Sequence, residues 1–190
     1  MQGIRLLGLL ALTFSIVCPA YLYAAAITPA PGDLIITEVM ADPYAVSDTK
    51  GEWFEVYNLS ENILDLNGLI LSDNGTNKHK INNGGSLLLN PFDYMVFGKS
   101  SNISSDDYVP DYVYSGFYLG NDDDEIIIST AGAELLRLEY GDGFAVSGKS
   151  RELAGTVGFP PDATDYVLGT TEYGSGDFGT PGGANASSWM

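Results

Sequence analysis

The sequence predicts an all-β sandwich, on three observations. Apolar and polar side chains alternate at period two in Ile35-Ile36-Thr37-Glu38-Val39-Met40 and in Glu52-Trp53-Phe54-Glu55-Val56-Tyr57, as half-buried strands require. Turn signals punctuate the chain at intervals of roughly 8–12 residues, the spacing of a sandwich or barrel. Beyond residue 26, a 3.6-residue apolar period is hard to find.

Residues 33–42 and 51–58 read as two strands joined by a polar loop from Tyr44 to Lys50. The run Ile63 to Asp73 follows, with Asn67-Gly68 inside it as either a turn or a bulge at a sheet corner. Lys78 to Ile81, Ser86 to Leu89 and Tyr94 to Phe97 read as short strands, separated by Asn82-Asn83-Gly84-Gly85 and by a break at Pro91. Ser100 to Asp111 is polar and acidic, as surface loops are. Glu125–Ser129 and Leu135–Tyr140 flank Thr130-Ala131-Gly132-Ala133 as a hairpin, with Leu136, Leu138 and Tyr140 on one face and Arg137 and Glu139 on the other. From Gly141 onward Gly, Pro and Ser become frequent and regularity fades.

Residues 1–26 read as a signal peptide. Arg5 supplies the positive charge, Leu6 to Val17 the apolar stretch, and Ala24-Ala25-Ala26 a small-residue cleavage pattern. The apolar stretch is shorter than the roughly 20 residues of a membrane span. Val17 before Cys18 does not suit lipid attachment. Cleavage would leave residues 27–190 as one domain, long enough to bury a core, with no membrane span. It would also remove Cys18, the only cysteine, and with it disulfides, thiolate nucleophiles and iron–sulfur ligation.

The formal net charge is −17, and losing Arg5 with the signal makes it −18. Nucleic-acid binding neutralises phosphates with Lys and Arg, so this balance argues against it. Cations or basic partners are the electrostatic alternative.

Four segments in order resemble a lamin tail domain: Glu38 with its strand, Glu52 to Asn58, Leu119-Gly120-Asn121 leading into Glu125-Ile126-Ile127, and Gly179-Thr180-Pro181-Gly182-Gly183-Ala184-Asn185. The resemblance covers about residues 33–185. It implies an immunoglobulin-like β-sandwich, found also in secreted bacterial proteins, that binds proteins or surfaces and supplies no catalytic residues.

Glu38, Glu52 and Glu55 on neighbouring strands could act as acid and base, but the pattern reads more simply as outward polar residues of sandwich strands. Asn121-Asp122-Asp123-Asp124-Glu125 is the densest run of oxygen donors. As an EF-hand it fails at Ile126 and Gly132, leaving Asp122, Asp123 and Asp124 as a calcium candidate or a solvated turn. His79, between Lys78 and Lys80, reads as an exposed strand residue. Trp53 and Tyr57, with Tyr112, Tyr114 and Tyr118, are candidates for an aromatic binding platform or for core packing.

These readings converge on an exported, non-enzymatic module that binds a protein or cell-surface partner outside the cytoplasm, secreted or periplasmic. The alternative is a calcium-dependent module for polysaccharide or an envelope partner. No cofactor other than calcium is implied.

Overall fold

The computed structural model describes residues 25–103, 108–155 and 158–187. The expected signal peptide, residues 1–26, lies almost wholly outside the described residues.

Two sheets form the sandwich. The first has six strands in the order β12-β11-β1-β2-β7-β8. These are β1 (Leu34–Met40), β2 (Trp53–Asn58), β7 (Tyr94–Gly98), β8 (Tyr112–Val113), β11 (Arg151–Leu153) and β12 (Tyr166–Leu168). All neighbours are antiparallel except β7 and β8, which run parallel. The second sheet has the order β10-β9-β4-β5, from β4 (Ile70–Ser72), β5 (Lys78–Lys80), β9 (Asp124–Ser129) and β10 (Glu134–Tyr140). Two small pairs complete the fold: β3 (Leu64–Asp65) with β6 (Leu88–Leu89), and β13 (Glu172–Tyr173) with β14 (Asp177–Phe178).

The core lies between the sheets. Ile36, Val39, Phe54, Val56 and Phe97 from the first sheet pack on Leu71, Ile126, Ile128, Leu136 and Leu138 from the second. Phe54 stacks on Phe97 with centroids 5.1 Å apart and meets Phe117 edge-on at 6.3 Å, geometries that aromatic quadrupoles favour.

The hairpin forms as its pattern predicts. Leu136, Leu138 and Tyr140 are buried, and Glu139 is exposed. Asn67-Gly68 resolves as a turn between β3 and β4: Leu69 N donates to Leu66 O, and Gly68 takes φ +90°, a backbone region open mainly to glycine. The loop expected from Tyr44 to Lys50 contains a single helical turn, Asp48–Gly51.

The largest departure is beyond Gly141. The chain there returns to the first sheet as β11 against β1 and β12 against β11. Strands of three residues flanked by Gly and Ser carry too short an alternation to register as a period.

Candidate functional site

The face of the first sheet that points away from the core is also buried. A β-bulge in β1 creates the arrangement, because the register slips between Ile36↔Val56 and Glu38↔Glu55 and leaves Thr37 as the extra residue. Glu38 then aligns with Glu55 of β2 on one side and with Glu152 of β11 on the other. Three carboxylates therefore form a row across three adjacent strands. They are 0%, 0% and 1% exposed.

The segment from Gly179 to Ser187 covers this row and bonds to each member. Thr180 donates to Glu38 through its N–H (2.9 Å to Oε1) and its hydroxyl (2.8 Å to Oε2). Gly182 N–H donates to Glu55 Oε2 at 2.7 Å. Ser187 donates to Glu152 Oε2 through its N–H at 3.3 Å and its hydroxyl at 3.2 Å. From within the sheet, Ser150 Oγ donates to Glu38 Oε1 (2.5 Å) and Thr37 Oγ1 to Glu55 Oε1 (2.6 Å). Asn185 completes the attachment, its Nδ2 donating to Thr37 O on β1 and to Leu153 O on β11.

Among the described residues no Lys or Arg pairs with the row; the ion pair present, Arg137 with Glu134, lies on the surface. Burial without a counter-charge disfavours ionisation. The Glu38 carboxyl is accordingly pushed up to about 7 and Glu55 to about 8, each mainly by burial and partly offset by the hydrogen bonds it accepts. Glu38 adds a like-charge contribution at Glu55.

Beside the row sits a satellite apolar cluster of Met40, Trp53, Val96 and Ile103, packed against Tyr108 and Tyr173. Trp53 Nε1–H donates to Tyr173 Oη at 2.8 Å, and the two rings meet edge to face. Outside the covering segment, a cavity of about 350 Å³ opens between Tyr108 and Tyr173, floored by Gly179–Ala184.

Several sequence expectations need correction. Glu38, Glu52 and Glu55 are buried rather than solvated, and Glu38 and Glu55 lie under the covering segment on the face away from the core. Glu52 is 4% exposed, accepts from Leu119 N–H at 3.1 Å, and is raised to about 7, chiefly by burial. Trp53 and Tyr57 offer no platform, because Trp53 is completely buried and Tyr57 lies against Tyr94. Tyr112 and Tyr114 are buried too; Tyr118 is exposed, but the Lys99 ammonium covers its ring. His79 is half-buried, with Nδ1 accepting from Ser115 N–H and Nε2 2.9 Å from Tyr112 Oη.

Asp122 and Asp123 are exposed on the turn before β9. Asp124 turns back instead to accept from Gly120 N–H at 2.7 Å. Among the described residues no group of three or more His, Cys, Asp or Glu is arranged to hold a metal ion, this run included.

Gly179 leaves no room for a side chain against the row. A Cβ there would lie 2.5 Å from Glu38 Oε1 and 2.9 Å from Ser150 Oγ. Gly179→Ala is expected to destabilise the fold by about 1–3 kcal/mol, read from chemical denaturation. Wild-type stability in this variant would mean that the segment does not press on the row.

A family model described as Lamin Tail Domain matches residues 27–142, more than half of the chain. The matched residues run from before β1 through β10 and stop short of Gly179–Asn185, to which the resemblance in the sequence extends. No curated protein and no solved structure matches the chain.

Proposed function

The chain belongs to the lamin tail domain family, and from that premise we propose that it is an exported, non-enzymatic module that holds a partner outside the cytoplasm. The observation that carries the proposal is how the buried carboxylates are used. Both oxygens of Glu38 and both oxygens of Glu55 accept hydrogen bonds from the protein itself. A general acid or base must instead reach a proton on its substrate. These two buried carboxyls thus serve to fasten the chain.

The charge of −17 supports the same reading, since it favours basic partners and repels phosphate backbones. Among the described residues no helix is long and apolar enough to cross a membrane.

Export is tested by fractionating the producing cell and weighing the purified chain. The expected result is recovery outside the cytoplasmic fraction, with an N-terminus at or beside residue 27. A chain kept in the cytoplasm and beginning at residue 1 contradicts the proposal.

A further inference from the structure

The two main sheets have four edge strands, and three of them are poor templates for another chain. β8 has two residues and β12 three; β5 has three, of which Lys78 and Lys80 are exposed. Short strands and lysines are common means of blocking edge-to-edge pairing. The fourth edge, β10, has seven residues and contains neither Lys nor Pro. Its ladder partner is β9 alone. A bulge at its start, where the register slips between Glu134 and Leu136, disturbs only the first residues. From Leu136 to Tyr140 the pairing is regular, so alternate N–H and C=O groups point away from β9. Among the described residues no backbone hydrogen bond from another segment reaches them.

Two grooves flank this edge. The first, of about 410 Å³, lies between Leu135–Arg137 and the pair Phe159-Pro160, with Phe159 57% exposed. The second, of about 440 Å³, lies beside Glu139 and is walled by Asp123, Glu125 and Asp162. One end of the edge thus offers the apolar Phe159-Pro160 pair beside the Arg137–Glu134 ion pair, and the other end is strongly acidic.

We infer that the β10 edge is a peptide-binding edge, taking an extended segment of a partner protein as an added strand. The segment carries apolar side chains beside Phe159 and Lys or Arg side chains beside Glu139 and Asp123. Main-chain hydrogen bonds to Leu136–Tyr140 hold it, and the two grooves select its side chains. The charge complementarity of the second groove decides for a basic segment over a neutral or acidic one. The inference rests on the reading of this domain as a binding module and names the class of partner.

The test uses the protein as isolated from its host and a seven-residue peptide alternating Val with Thr in one half and with Lys in the other. A counterpart with Glu for Lys is the control. Amide hydrogen exchange, followed residue by residue, is expected to slow within Leu136–Tyr140 when the Lys peptide is added and not when the Glu peptide is. Glu139→Lys together with Asp123→Lys is expected to weaken binding roughly tenfold, since both side chains are exposed. Unchanged exchange at saturating Lys peptide overturns the inference. So does equal binding of the Glu peptide, or protection of the same amides by self-association without peptide. An exported chain that fails this test loses the edge assignment and keeps the module reading; a chain that never leaves the cytoplasm loses the module reading whatever the peptide does.

Discussion

Replacing Trp53 with alanine is expected to lower the unfolding free energy by about 3–5 kcal/mol, the range for removing a buried aromatic side chain. Trp53 is fully buried among Met40, Val96 and Ile103, away from the main core. Its removal would open a cavity between the first sheet and the C-terminal segment. It would also leave the Tyr173 hydroxyl without the indole N–H it accepts. Trp53→Phe separates the two effects, because it keeps most of the apolar volume and loses the hydrogen bond. That variant is expected to cost about 1–3 kcal/mol. Chemical denaturation followed by two probes measures both and checks that the transition is two-state. A change below about 1 kcal/mol in the alanine variant would be the response of an exposed residue.

The second large effect is on pH. In the unfolded chain Glu38 and Glu55 titrate near 4.5; in the folded protein they titrate at about 7 and about 8. Below about 4.5 both states hold both protons and the two residues impose no cost. As pH rises through 4.5 the unfolded chain releases protons that the folded protein keeps, so stability falls. The fall continues to about 8, above which the cost is complete. One pKa unit corresponds to about 1.4 kcal/mol, so the total over this window is on the order of several kcal/mol. Glu52 contributes with the same sign. Relief of repulsion among surface carboxylates adds to the slope near its acidic end. The double variant Glu38→Gln with Glu55→Gln isolates these two residues, because both amides are neutral at every pH. Its midpoint of thermal unfolding is expected to vary much less between pH 5 and pH 8 than that of the wild type. Equal slopes would assign the effect to Glu52 and the surface carboxylates instead.

The strands with enough alternation were legible in the sequence. β1, β2, β7 and the β9–β10 hairpin carry five or more residues each, and their periodicity places them without a structure. β11 and β12 escaped because their three residues each stand in a stretch rich in Gly, Pro and Ser, which hides so short a period. The bulge at Thr37 escaped for a different reason: a sequence shows alternation within a strand but not its register with the next.

The site was half legible. Glu38, Glu55 and Gly179–Asn185 all stood out in the sequence, yet nothing showed that the last binds the first two. Period two places Glu55 with Trp53 and Tyr57, and Trp53 indeed packs in a cluster separate from that of Phe54 and Val56. It cannot say whether the face meets water or another layer. One signal was available in retrospect. Trp53, Tyr57 and Met40 are too large and apolar for a solvated face, which points to a covering segment. Aspartates 122, 123 and 124 show the converse, since a dense run of acids in a turn forms a site only when its side chains converge.

The most direct test of the buried row is a carboxyl-carbon NMR titration that resolves Glu38 and Glu55, with the Thr180 and Gly182 amides followed in parallel. Titration near 7 and 8, with both amide signals shifting over the same range, is the expected result. Midpoints near 4.5, with amides indifferent to pH, would show the carboxylates hydrated and the C-terminal segment not fastened to them.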